Sequence, residues 1–153
     1  MASKIIINKE YLENIQTYGD TIAKNLAIIF REKLTDRYKK SVNSFYSSYT
    51  PMFYKREYQL QKTCSPFYTK NNSGHSFHGG VIIYPDKMKY KNPEIHDTPE
   101  YILNNSLEGI HGIKTIYTPR WILTDVLIYR EYLFHRLSGN DSISREAINR
   151  SRI

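Results

Sequence analysis

Apolar side chains recur at intervals of three and four residues through the first third of the chain, and this spacing constrains the fold most. It is the period of an amphipathic α-helix. Asn8 suits the N-cap and Glu10 the first turn, so we expect a helix from about Lys9 to about Phe45, with a bend or restart at Gly19-Asp20. Its apolar face consists of Leu12, Ile15, Ile22, Leu26, Ile29, Leu34, Tyr38 and Val42.

Such a helix would be roughly 55 Å long at 1.5 Å per residue, which is long for a compact domain of this size. A rigid helix that projects past its own core is common in the subunits of rings and tubes. Lys33, Arg37 and Lys40 share one face of this helix. A solvated face is the ordinary interpretation, but in a long helix the same cations could line a channel.

Two strands are predicted in the middle of the chain. Residues 52–61 alternate in the period of two that is typical of a half-exposed strand. The composition of residues 70–74 indicates a turn, and a second strand is expected from Ser76 to Tyr84. Gly79-Gly80 within it allows a bulge or a close approach of another backbone.

Two further helices are predicted after the strands. Thr98-Pro99 is a helix start signal, and the short helix that it opens should stop near Glu108-Gly109. Thr118-Pro119 repeats the signal before a longer helix from Arg120 to Leu137, which Gly139 would end. The apolar stripe of that helix is Ile122, Val126, Tyr129, Leu133 and Leu137.

The order of these elements predicts an α+β fold. The long N-terminal amphipathic helix and a C-terminal helix would pack on a small antiparallel β-sheet. We expect residues 1–139 to form a single domain. Residues 140–153 are polar and basic, with little that could pack, and are expected to form an arm that is disordered or ordered by a partner.

The net charge of +7 is distributed unevenly along the chain. Residues 49–92 carry 7 basic and 2 acidic side chains, whereas residues 93–138 carry 4 and 6. A basic face of this kind suits nucleic acid or an acidic neighbour, and unlike-charged faces also suit self-association of identical subunits. The charge distribution alone does not distinguish nucleic-acid binding from contact with an acidic neighbour or from self-association.

Catalytic and metal-binding patterns are weak. His75 and His78 would face opposite sides of a strand, which is poor for sharing a metal. Cys64, with no activating base nearby in sequence, is expected to be a buried, inert thiol in a reducing compartment. Glu108 and His111 offer an acid and a base, but a helix end followed by a turn explains the glycines around them. We therefore expect no enzymatic activity, no metal and no cofactor, and keep the Glu108–His111 enzyme as a third hypothesis.

Basic and aromatic residues interleave from Tyr54 to Tyr58 and again from Tyr84 to Lys91. Rings that stack bases beside cations that contact phosphates are what a single-stranded nucleic-acid surface needs, and such a binding module is the alternative function. In the ordinary interpretation the rings fill the core. Arg56, on the aromatic side of the alternation, would then stack on tyrosine or anchor a neighbour's carboxylate.

Membrane insertion and secretion are not expected from the sequence. The apolar stretches Leu26–Phe30 and Val81–Tyr84 are far shorter than the roughly 20 residues that a membrane-spanning helix needs. Residues 1–7 lack the apolar region and cleavage site of a signal peptide.

The order of motifs resembles the neck and tail-completion (head–tail joining) proteins of tailed bacteriophages. Their long amphipathic helix is followed by a turn with Ser and Pro, a Tyr/Arg-rich strand, a hairpin, a Glu-Gly turn and a final helix behind a proline. The chain departs from the family at Glu57-Tyr58, where Thr-Gly is common. The matching segments are Ser44–Pro51, Tyr54–Leu60, Tyr101–Leu103, Glu108–Gly112 and Thr118-Pro119, and they span most of the chain up to about Gly139.

The resemblance implies a non-enzymatic virion protein that is made in the host cytoplasm and forms a homo-oligomeric ring. Its partners would be the virion proteins on the connector or portal side and on the tail-tube side, with a passing contact with DNA left open. Arg56 and the Glu108-Gly109 turn would be structural positions. The candidate interface residues are Lys33, Arg37, Lys40, Tyr54, Arg56, Tyr58, Glu108, Arg145 and Arg150.

Overall fold

The fold is α+β, as predicted, with a long N-terminal helix, a two-stranded antiparallel sheet and a C-terminal helical part. The computed structural model describes residues 8–47, 50, 56–91, 98–99, 101, 103, 122–137 and 142–152. Its regular elements are α1 (Lys9–Ser47), β1 (Cys64–Lys70), β2 (Phe77–Ile83), α2 (Ile122–His135) and α3 (Ser142–Ser151). Short 3-10 turns at Gln59–Lys62 and Pro85–Lys87 flank the hairpin.

Helix α1 is continuous over 39 residues, about 58 Å at 1.5 Å per residue. The side chain of Asn8 accepts a hydrogen bond from the backbone N–H of Glu10 at 3.0 Å, which confirms the predicted cap. Gly19-Asp20 does not interrupt the helix. Residues 8–19 are all exposed, and Ala27 is the first buried residue of the helix. The helix therefore projects past its own core by about three turns.

The hairpin pairs β1 with β2 in antiparallel register, with Phe67 opposite Gly80. The predicted second strand is confirmed to within one residue at each end. The predicted turn is also confirmed, because the Asn71 side chain accepts hydrogen bonds from the backbone N–H groups of His75 and Ser76 and Gly74 has a φ of 81°.

The strand predicted over residues 52–61 is wrong in its described part. Residues 56–58 are not in a strand, and Gln59–Lys62 forms a 3-10 turn. Tyr58 has a φ of 54°, which no strand accommodates. Gln59 and Leu60 are adjacent and both buried, whereas a half-exposed strand buries alternate residues. Residues 51–55 lie outside the described residues.

The hairpin lies against α1 at Gly79. A Cβ at this position would be 1.7 Å from the backbone oxygen of Ala27. The sheet therefore lies closer to the helix than any residue with a side chain would allow at this position. This confirms the close approach predicted for Gly79-Gly80. On the other face of the sheet, the ring of Phe67 covers Gly80.

Helices α2 and α3 pack on α1 and run antiparallel to it. The stripe predicted for α2 is confirmed, because Ile122, Val126 and Leu133 are buried and the two other stripe residues pack partly buried against the same core. For the short helix predicted after Thr98, the described residues Pro99, Tyr101 and Leu103 are helical. The rest of it and Gly139 lie outside the described residues.

The prediction that residues 140–153 form an arm with little to pack is wrong for residues 142–151. They form α3, whose residues Ile143, Ala147 and Ser151 are buried at intervals of four. The Nδ2 of Asn25 donates a hydrogen bond to the hydroxyl of Ser151 at 2.8 Å. Ala147 and Ser151 are small, which lets α3 lie close to α1. The packing face of α3 is narrow, and for this reason the polar composition of the segment did not indicate it.

The contact at Gly79 can be tested with two alanine substitutions. We expect Gly79→Ala to lower the free energy of unfolding by about 3 kcal/mol, because the new methyl group meets backbone that cannot move aside. Gly19→Ala is the matched control, since a Cβ at Gly19 meets nothing within 4 Å. In the dissociated, monomeric chain it should raise the free energy of unfolding by about 1 kcal/mol through helix propensity. Urea unfolding of both variants measures the difference, and equal effects would contradict the packing.

Candidate assembly surface

The projecting part of α1, residues 8–19, is called the overhang below. At 100° per residue, its apolar side chains and Gly19 fall within an arc of about 120°, while the charged residues lie on the opposite side. The exposed fractions are 62% for Tyr11, 49% for Leu12, 53% for Ile15 and 48% for Tyr18. A contiguous apolar face at this exposure makes the overhang a candidate interaction site.

The apolar face of the overhang continues the line along which α1 packs on its own chain. Ile22 and Leu26 follow it and are partly buried against the core. On the same side of α1, Asn25 contacts Ser151, the last residue of α3. The overhang therefore extends a helix-packing surface beyond the point where α3 ends.

A polar cluster fixes the tip of the hairpin where the overhang begins. The Nδ1 of His75 lies 2.7 Å from Oδ2 of Asp20, and Nε2 of Gln16 donates to Oδ1 of the same carboxylate at 3.0 Å. The hydrogen bond with His75 lowers the pKa of Asp20. The cluster braces the helix against the turn on its charged side and leaves the apolar face open.

The two histidines do not share a site. His75 lies in the turn, whereas His78 lies in β2, where its Nε2 is 3.4 Å from the Ser76 hydroxyl. Among the described residues, no group of three or more His, Cys, Asp or Glu side chains could hold a metal ion. Cys64 is half-buried against the core, and burial raises the pKa of its thiol. Glu108 and His111 lie outside the described residues.

Arg37 joins α1 to α2 through Asp125. Its Nε and Nη2 donate to the two carboxylate oxygens at 2.8 and 2.5 Å, and the Ser41 hydroxyl donates to the same group. Burial by itself raises the pKa of Asp125, but the bonds from Arg37 and Ser41 outweigh it and hold this pKa below its ordinary value. The hydrogen bonds to Asp125 in turn raise the pKa of Arg37.

The other cations predicted on this helix differ from one another. Lys33 lies 3.7 Å from Glu146 of α3, so it also forms an ion pair within the chain, whereas Lys40 is exposed. Arg150 of α3 bridges Glu32 and Glu146 at 3.0 and 2.6 Å. The pairs of Glu146 with Lys33 and of Arg150 with Glu32 attach α3 to α1. Lys33 and Arg37 both form ion pairs within the chain, so they do not form a common solvated or channel-lining face.

An open depression of about 560 Å³ lies on the outer side of α3. Arg145 lines it together with Glu146 and Arg150. Since Arg150 and Glu146 are already paired with each other, the depression offers no concentrated charge to a ligand.

Arg56 stacks on tyrosines, which is one of the two roles expected for it. Its guanidinium lies 5.1 Å from the ring centre of Tyr46 and 5.7 Å from that of Tyr58, and its Nη1 donates to the backbone oxygen of Tyr46 at 2.7 Å. Burial raises the pKa of the Tyr46 phenol, whose oxygen accepts a hydrogen bond from the N–H of Leu60. Tyr54 lies outside the described residues.

Sequence reasoning found the long helix but missed how its apolar residues divide. The spacing predicts one stripe that contains Leu12 and Ile15 together with the core residues, yet these two are exposed. Tyr11 and Tyr18 belong to the exposed face but not to the predicted stripe. Their separation of seven residues, two helical turns, was the available signal.

No protein-family model, curated protein or solved structure matches the chain. Every helix among the described residues is too polar or too short to span a bilayer.

Replacement of Asp125 tests the tie between α1 and α2. Both partners are more than a third exposed, so Asp125→Asn should lower the free energy of unfolding at pH 7 by only about 1 kcal/mol. The folded pKa of Asp125 is depressed, so its contribution is present above the unfolded pKa of about 4 and is lost as pH falls through the folded value. The difference between wild type and variant should therefore be constant at pH 5–7 and shrink below pH 4.

Glu131→Gln is the matched control, because Glu131 pairs with the adjacent Arg130 on the exposed side of α2. Its effect on urea unfolding should stay within about 0.5 kcal/mol. A pH-independent difference for Asp125→Asn would contradict the assignment of a depressed pKa.

Proposed function

We propose that the chain is a structural subunit of a tailed-bacteriophage virion, which joins copies of itself into a ring at the neck, between head connector and tail. The observation that carries the proposal is the overhang, a rigid helix whose apolar face is exposed beyond the core. The order of elements supports it, since a long N-terminal helix, a hairpin and a helical C-terminal part follow one another as in the neck and tail-completion proteins.

A rigid helix is well suited to this role. The core holds α1 from Ala27 to Tyr46 on several sides, through the hairpin, α2 and α3. The position of the overhang is therefore set by the core, and a neighbouring subunit meets a preorganised surface. Repeating one such contact by a fixed rotation closes a ring.

The charges are distributed in a way that suits contact between identical subunits. The outer side of the overhang carries Glu10 and Glu13, of which Glu13 is paired with Lys9. The hairpin region is basic, with Lys62, Lys70, Lys87 and Lys89 all exposed. Surfaces of unlike charge on one subunit steer its copies towards each other.

The alternative, a single-stranded nucleic-acid-binding module, has less support from the structure. Its first motif needs Arg56 on a surface that meets phosphate, but that guanidinium lies against the rings of Tyr46 and Tyr58 and is bonded to the backbone. We therefore favour assembly.

Native mass spectrometry of the purified protein, together with electron microscopy, tests ring formation. We expect a closed oligomer, and we expect Ile15→Lys to abolish it by placing a charge on the apolar face. Thr17→Lys is the matched control, because it adds the same charge at an exposed position on the opposite side of the overhang. Loss of the ring in both variants would contradict a specific role for the face.

Joining to purified heads or tails is the second readout, because some ring subunits assemble only on their partners. A protein that is monomeric and also joins neither would overturn the proposal. Such a protein with an affinity for single-stranded DNA that falls steeply with salt would favour the alternative instead.

A further inference from the structure

We infer that the overhangs of neighbouring copies pack side by side and parallel, through the face that contains Leu12, Ile15 and Gly19. This inference rests on the proposed ring and names the surface and the partner that form it. The partner is a second copy of this chain.

The spacing along the face is that of a helix–helix seam. Leu12, Ile15, Gly19, Ile22, Leu26 and Ile29 follow one another at alternating intervals of three and four. Helices with this repeat pack along one another at a small crossing angle. The last three residues of the series pack on the chain's own core, whereas Leu12 and Ile15 are about half exposed.

Gly19 is an independent indication that a second backbone comes close. Glycine in a helix interior costs about 1 kcal/mol relative to alanine. Its Cβ position meets no atom of the described chain within 4 Å, so packing within the subunit does not explain it. A helix that crosses the face there would gain a closer approach than any side chain permits.

The charge pattern favours a second copy as that helix. In a parallel pair, residues that flank the seam on one side of a helix come near those that flank it on the other side of the partner, so like charges there would repel. Gln16 and Tyr18 flank the seam within the overhang without charge. The charge of Lys9 is paired with Glu13 at 3.6 Å on the outer side.

The exposed area shows that the overhang alone would not hold two copies together. Its four apolar side chains offer roughly 400 Å² per copy, so two copies would bury about 800 Å², below what a stable specific interface needs. The remaining contact area in the proposed ring therefore comes from other surfaces of the subunit. Copies related by rotation present their overhangs in parallel when those helices run along the rotation axis.

Single-cysteine variants test the arrangement. In a Cys64→Ser background, Leu12→Cys and Ile15→Cys should each form a disulfide with the same residue of a neighbour under mild oxidation, because parallel seams bring equivalent Cα atoms within about 7 Å. Glu13→Cys, on the opposite side of the helix, is the control. We expect roughly tenfold more cross-linked dimer at positions 12 and 15 than at position 13.

The outcomes separate the inference from the proposed function. Cross-linking only in a mixture of the Leu12→Cys and Ile15→Cys variants would mean antiparallel pairs and would overturn the parallel arrangement. A ring in native mass spectrometry without cross-links at either position, or with equal cross-linking at position 13, would show that copies meet elsewhere. A monomer that also joins neither heads nor tails would remove the proposed function as well. Circular dichroism of each variant confirms that it is folded.

Discussion

The contact between β2 and α1 at Gly79 is the constraint on which the rest of the fold depends. A two-stranded sheet is at best marginally stable by itself, so the hairpin must bury a face against a helix. The missing side chain at Gly79 lets the strand rest on the backbone at Ala27. With the tip held at Asp20 and the base held where Tyr38 hydrogen-bonds Thr63, the hairpin covers α1 from residue 20 to residue 38.

Helix α1 therefore acts as the axis of the molecule, and its sides are used in different ways. The hairpin covers one side, and α2 and α3 occupy the others through the Arg37–Asp125 and Lys33–Glu146 ion pairs. Burial raises the pKa of Tyr38, deep in this core, to about 12. The buried length of α1 is therefore held on several sides by separate elements.

The sequence predicted the helices better than the first strand because helical periods were long and the strand pattern was short. Ile122 to Leu133 repeats over several turns, so its stripe was found. In contrast, the alternation over residues 52–61 was contradicted by the adjacent buried pair Gln59 and Leu60 and by the left-handed Tyr58, which depend on tertiary contacts with Tyr46. The exposure of the overhang could be seen only in the structure, because a periodic pattern indicates an apolar face but not what covers that face.

The overhang is stable as a helix because the rest of α1 is held by the core. An isolated helix of about twelve residues would be marginal in water, because nucleation is unfavourable. Here the nucleus is already formed by the buried part of α1, and each residue added towards the N-terminus needs only propagation. Asn8 caps the end, and Gln16 donates to Asp20 one turn on. Helix α1 can thus hold an apolar face in water without a core behind it, and the open Gly19 is the point where the proposed neighbouring helix would approach most closely.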